Sequence, residues 1–251
     1  MIHTEVEGPV ITLTLDAPKV KNAFNARMIA DLGSAISDAA LDESCRCLII
    51  TGANGTFCAG RDLGEEVDSS LEAILERERK WEQIFQQLRQ FPKLSVAVVE
   101  GYAVAGGFTL AMGCDFVISD SNAVFGAFEM RNGFPAAVNT PLLAKLVAPR
   151  IALEWALLGE AISARRLYEM GLVNRLAEDP EELSEVADTF ISRLTSLNPT
   201  AVRAAKEIHH AARNMPLADA LVMGAQQNSL ISASGWLTEG MKKYSGNRRE
   251  K

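Results

Sequence analysis

Val10 to Leu15 alternates apolar and polar positions as VITLTL, the period of a strand with one buried face. Asp16-Ala17-Pro18 breaks that run. Asn25 then stands at a helix-capping position, and Met28, Ile29, Leu32, Ile36 and Ala39 recur at the spacing of one helical face. Cys47-Leu48-Ile49-Ile50-Thr51 predicts a short buried strand, stopped by Gly52 and the Asn54-Gly55 turn. From Ser69 to Gln90 the chain is charged, with sparse apolar positions at Leu71, Ile74, Leu75, Trp81, Ile84, Phe85 and Leu88. This predicts a helix that ends at the Pro92 boundary. Leu94 to Val99, Phe116 to Ser119 and Ala123 to Phe125 predict further strands, and AVAGGFTLAMGCD predicts a Gly-rich turn entering a helix.

After Asn139 the pattern is almost wholly helical, with Pro199 at a first helical position behind Asn198. Arg203, Lys206 and Glu207 fall on the polar face of that helix, and the last 50 residues hold at least two more amphipathic segments. Strands alternating with helices, followed by a helical end, define an α/β class. Several strands are so short that a spiral of small sheet turns fits as well as a doubly wound sheet. No segment repeats at a fixed period.

The length of 251 residues suits one large domain, or one with a small helical appendage. Charged residues make up 23%, so disorder is expected only at the tail, Ser245 to Lys251. The formal charge of −7 makes nucleic acid a poor partner, because an acidic surface gains nothing from a polyphosphate. Lys19 with Lys21, Arg165-Arg166, Lys242-Lys243 and Arg248-Arg249 are the basic clusters. Cys45 and Cys47 alternate along an apparent strand and are expected to point the same way. With Cys58 and Cys114 they form no metal-like spacing, which leaves reduced, partly buried thiols. No signal pattern and no apolar run of roughly 18 residues is present, so a soluble, cytoplasmic protein without membrane contact is expected.

Two glycine-containing turns stand out: Cys58-Ala59-Gly60-Arg61-Asp62-Leu63 and Ala103-Val104-Ala105-Gly106-Gly107. A Gly-rich turn opening a helix offers free backbone N–H groups at the positive end of the helix dipole, where a phosphate or a developing oxyanion binds. The second turn lacks the G-x-G-x-x-G spacing of dinucleotide sites, and the Walker pattern is absent.

Both turns, with Phe125-Gly126-Ala127-Phe128-Glu129, resemble the enoyl-CoA hydratase/isomerase (crotonase) superfamily. The resemblance begins at Leu15-Asp16-Ala17-Pro18-Lys19 with Asn22-Ala23. It continues through Val99-Glu100-Gly101-Tyr102-Ala103 and Cys114-Asp115-Phe116 to Ala164-Arg165-Arg166-Leu167 and Gly171-Leu172-Val173. It implies a spiral core of repeated ββα turns over residues 1–197 and a helical trimerisation region over 198–251. A homotrimer or dimer of trimers is then expected, with Lys242-Lys243 near a neighbour's CoA site. It also implies an acyl-CoA thioester substrate, as in fatty acid metabolism, and no separate cofactor, since coenzyme A is part of the substrate.

Residue by residue, the resemblance makes the N–H groups of Arg61 and Gly106 an oxyanion hole. Losing one donor of this kind typically costs about 3–4 kcal/mol of barrier. Lys19 matches a position near the CoA phosphates, and the backbone of Ala59, Arg61, Asp62 and Leu63 would run beside the adenine and pantetheine. Trp81 and Phe85 fall where the family lines its acyl pocket. Of the family's two glutamates only Glu129 is present; the first position is Thr109. A threonine is no base near neutral pH, though it can hydrogen-bond a water or hydroxyl. One glutamate suffices for a double-bond shift, so the pattern favours an enoyl-CoA isomerase or an atypical hydratase. Phe125, Phe128, Met130, Phe134 and Pro135 make an apolar neighbourhood that is expected to raise the Glu129 pKa. A decarboxylase or hydrolase of the same class, a non-catalytic relative that binds acyl-CoA or a partner, and an RNA-binding relative stay open; the charge argues against the last.

Overall fold

The computed structural model describes residues 1–65 and 68–233. β1 (Ile2–Glu7) and β2 (Val10–Leu15) form an antiparallel hairpin. α1 (Ala26–Leu41) follows, and the Asn25 side chain accepts from the Met28 N–H at 2.8 Å, as a cap should. Its buried face is the Met28, Ile29, Leu32, Ile36 and Ala39 set that the period predicts. Next come β3 (Cys47–Gly52), α2 (Leu71–Gln90), β4 (Leu94–Val99), β5 (Tyr102–Val104), α3 (Gly106–Gly113), β6 (Phe116–Asp120), β7 (Val124–Gly126), α4 (Asn139–Leu146) and α5 (Pro149–Leu158). β8 (Ile162–Ser163), α6 (Ala164–Glu169), β9 (Arg175–Ala177) and α7 (Leu183–Thr195) complete a compact unit that ends at Ser196.

Among the described residues one sheet runs β1-β2-β3-β4-β6-β9, parallel except for the β1 hairpin, and a second runs β5-β7-β8. Leu13, Ile50, Ala97 and Val117 lie side by side across the first sheet, all buried. Cys58, Ala103 and Phe125 line up in the same way across the second. Each turn of chain thus places one strand in each sheet and then a helix: β3, Cys58 and α2; β4, β5 and α3; β6, β7 and α4. This is a spiral of ββα turns. The repeat escapes a periodic search because the turns differ in length. Ile50 to Ala97 spans 97 − 50 = 47 residues and contains α2, whereas Ala97 to Val117 spans 117 − 97 = 20.

β1 has no predicted counterpart. Its side chains are mostly exposed and it pairs only with β2 at the sheet edge, so no buried face imprints an alternation on it. Two strands also interrupt the region read as helical: β8 and β9, of 2 and 3 residues, too short to show a period. Cys45 and Cys47 do not share a side. Cys45 precedes β3 and packs in the main core, while Cys47 begins β3 and faces a smaller cluster with Val96, Ile118 and Ile191. Burial pushes the Cys58 thiol up to about 12 and raises that of Cys45 as well, so neither is a ready thiolate.

A second unit begins at Leu197. It holds α8 (Pro199–Ala212) and α9 (Leu217–Ala233). Asn198 caps α8 by accepting from the Ala201 N–H at 3.0 Å, and Arg203 pairs with Glu207 at 2.9 Å one turn on. Lys242-Lys243 and the tail from Ser245 lie outside the described residues. No described helix is long and apolar enough to cross a membrane.

Candidate active site

The two glycine turns meet because Cys58 bridges Ala103: the Cys58 N–H donates to the Tyr102 carbonyl at 2.8 Å and Val104 donates back to Cys58 at 3.0 Å. Only glycine fits where they touch. Gly60 has φ +98°, and a Cβ there would lie 2.8 Å from the Ala105 Cβ and 3.1 Å from the Gly106 nitrogen. A Cβ on Gly107 would overlap the Cys58 carbonyl. A third segment braces the first turn from the other side. Ala59 donates to Lys21 at 3.0 Å, Phe24 to Gly60 at 2.7 Å, and Asp62 to Phe24 at 2.9 Å. Buried Asn22 ties this segment down, accepting from Ala17 at 2.8 Å and donating to Ala53 and Thr56 at 2.9 and 2.6 Å.

Among the described residues, neither the Arg61 N–H nor the Gly106 N–H has an acceptor. Gly106 is the first residue of α3, where helix geometry supplies none. Both unspent donors therefore lie at the Gly60–Gly106 contact. The residue between them and the helix is strained. Ala105 sits at φ +50°, ψ −122°, a conformation that costs a side-chain-bearing residue about 1–3 kcal/mol and persists only when its surroundings over-determine it. They do so here. The Ala105 N–H donates to Gly126 at 2.8 Å, and its carbonyl accepts from the Thr109 N–H at 3.0 Å, the Thr109 hydroxyl at 3.2 Å and the Asn139 amide at 3.1 Å.

Glu129 lies in a 3-10 turn, Phe128–Asn132, directly after β7. One carboxylate oxygen, Oε1, accepts from Asn139 Nδ2 at 2.8 Å. The other, Oε2, is buried with no partner among the described residues. Burial raises the Glu129 pKa above the ordinary carboxylate value. Its own backbone amide, the Asn139 amide and the Arg61 charge offset this only in part. Met130 and Phe134 do not supply that burial, contrary to the expectation from sequence: they are 38% and 52% exposed.

Thr109 is fully buried, and its hydroxyl hydrogen is spent within α3 on Ala105. The Arg61 side chain turns to α2. It grips Glu78 through two hydrogen bonds of 2.5 and 2.8 Å and lies over the Trp81 ring at 5.7 Å. Trp81 reaches Gly106, since a Cβ there would lie 3.2 Å from its ring. Phe85 packs instead against Gly113, at the far end of α3. Lys19 is exposed in a 3-10 turn, Pro18–Val20, whose following residue Lys21 accepts from Ala59. Asp62 is half-buried and accepts from Gly64, and Leu63 is exposed. Sequence reasoning missed Asn139 as a site residue. A lone asparagine beside a helix start reads as a boundary, and only the fold brings it against Glu129.

A sequence model of the family described as enoyl-CoA hydratase/isomerase matches residues 5–251. The 2,3-dehydroadipyl-CoA hydratase of Escherichia coli K12 is 33% identical over 237 residues, covering 94% of this chain and 91% of that protein. The 1,2-epoxyphenylacetyl-CoA isomerase of the same organism is 31% identical, covering 98% and 96%. A chain from Thermobifida fusca YX solved in complex with CoA superposes with a TM-score of 0.86 at 26% identity, over 93% of both chains. The spiral fold, the paired backbone donors and these likenesses over nearly the full length agree, and the chain belongs to the enoyl-CoA hydratase/isomerase family, whose members act on acyl-CoA thioesters.

Proposed function

We propose that this protein is an enoyl-CoA isomerase that shifts a double bond with Glu129 as its single acid/base. The observation that carries this reading is the buried, unpartnered Oε2 of Glu129, on a carboxylate linked through Asn139 and Ala105 to the peptide bearing the Gly106 donor. In a 3-enoyl-CoA, Glu129 removes a proton from the α-carbon. The electron pair passes into a dienolate whose oxygen is held by the Arg61 and Gly106 N–H groups. The protonated Glu129 then returns the proton to the γ-carbon, giving the 2-enoyl isomer. A raised pKa suits a group that must both take and give the proton. Thr109, with its hydrogen spent on Ala105, offers no second base for water addition. Lys19 and the backbone from Ala59 to Leu63 hold the CoA moiety in this reading, and the chain assembles as a homotrimer or dimer of trimers.

The test presents 2-enoyl- and 3-enoyl-CoA in deuterated water. Isomerisation with deuterium exchange at the α-carbon is expected, and Glu129→Gln should lower it by about 10²–10⁴-fold. A 3-hydroxyacyl product would make the protein an atypical hydratase. Wild-type turnover in Glu129→Gln would remove Glu129 as the proton carrier. No turnover on any acyl chain would favour a non-catalytic binder.

A further inference from the structure

Asn139 is completely buried and donates both amide hydrogens, one to Glu129 Oε1 at 2.8 Å and one to the Ala105 carbonyl at 3.1 Å. Its Oδ1 is buried without a partner among the described residues. That arrangement is not a helix cap. Asn139 is the first residue inside α4, its cap position is Val138, and a capping side chain accepts a backbone N–H through the oxygen that here stands idle. Burying an amide with one oxygen unsatisfied costs stability that a leucine of similar volume would not.

We propose that Asn139 is a positioning residue that sets both halves of the reaction machinery with one amide group; this deepens, and rests on, the single-glutamate reading. By engaging Oε1 it leaves Oε2 as the oxygen that carries the proton. By holding the Ala105 carbonyl it fixes the plane of the Ala105–Gly106 peptide. The Gly106 N–H is on the opposite side of that same rigid group, so its direction is fixed too. Thr109 shares the second task only: both its N–H and its hydroxyl donate to Ala105, and it has no bond to Glu129. A base and an oxyanion donor placed by one side chain keep a constant separation, which proton transfer at an α-carbon beside a thioester requires.

The assay follows Glu129 directly, by ¹³C NMR of protein labelled at the glutamate carboxyl carbon, the resonance being assigned by its loss in Glu129→Gln. In wild-type protein the Asn139 side-chain amide nitrogen should shift with the same midpoint as Glu129. In Asn139→Leu the Glu129 midpoint should rise, because a donor to the carboxylate form is gone. Turnover should fall on the order of 10- to 100-fold, and the melting temperature should fall as well, because Glu129 Oε1 and the Ala105 carbonyl each lose a donor. Thr109→Val should lower turnover and leave the Glu129 midpoint in place. An unmoved midpoint in Asn139→Leu would overturn the proposal. If that variant does not fold, an Asn139 amide in wild-type protein that ignores the Glu129 titration would do the same. A wild-type chain that turns over no enoyl-CoA would sink the isomerase reading, and the titrations would still decide the role of Asn139.

Discussion

Arg61 offers a sharp separation of backbone from side chain, and Arg61→Ala tests it. The substitution keeps the unpaired backbone N–H, proposed above as an oxyanion donor, and deletes the guanidinium that grips Glu78 and lies over Trp81. The Arg61 side chain is 26% exposed and that of Glu78 46%, so solvent screens much of the pair. An ion pair of this exposure contributes about 0.2–1 kcal/mol. The cation–π contact adds about 0.5–1 kcal/mol. The expected loss is therefore roughly 1–2 kcal/mol, a fall in melting temperature of about 2–8 °C for a chain of this size. Chemistry responds differently. The Arg61 charge is one of the influences holding the Glu129 pKa down, so its removal moves the acid limb of kcat/KM to higher pH. Well above that limb the variant should retain kcat/KM within about threefold, far from the several-hundred-fold loss that removal of an oxyanion donor produces. The assay is a pH profile of enoyl-CoA turnover beside a thermal melt. A fall of more than about tenfold on the high-pH plateau, in a variant that still melts cooperatively, would refute the division of labour and place the guanidinium on the substrate.

Asn22→Ala should destabilise by about 1–3 kcal/mol, because it strands the half-buried Ala53 and Thr56 carbonyls and the Ala17 N–H at once; a denaturant melt with an unchanged midpoint would contradict the bracing role of that turn. Glu129→Gln should be more stable than wild type near neutral pH. Burial raises the folded-state pKa, so the folded chain holds this proton through a pH range where the unfolded chain has released it. Wild-type stability from this group therefore falls as pH rises from the ordinary carboxylate value through the raised one. The advantage of the variant should vanish below that range, and melts at several pH values that show a constant difference would refute it.

The sequence by itself determined the elements whose local chemistry is self-sufficient. The faces of α1 and the second half of α2, the Asn25 and Asn198 caps, and the strands β2, β3, β4 and β6 all follow from period and capping residues. Glycines that tolerate no Cβ left their mark at Gly60 and Gly107, so both glycine turns were legible, whereas Glu129 was singled out only by the family resemblance. What only the tertiary structure decided depends on contacts between distant segments. β8 and β9 exist because sheet edges await them, not because 2 or 3 residues favour a strand. Cys45 and Cys47 separate into different clusters where β3 begins. Asn139 stands 34 positions from Ala105 and 10 from Glu129, and nothing in its neighbours marks it. An oxyanion hole is made of backbone groups, which every residue but proline carries. Its position is therefore set by which N–H groups the fold leaves unpaired, a property of the assembled chain rather than of any residue in it.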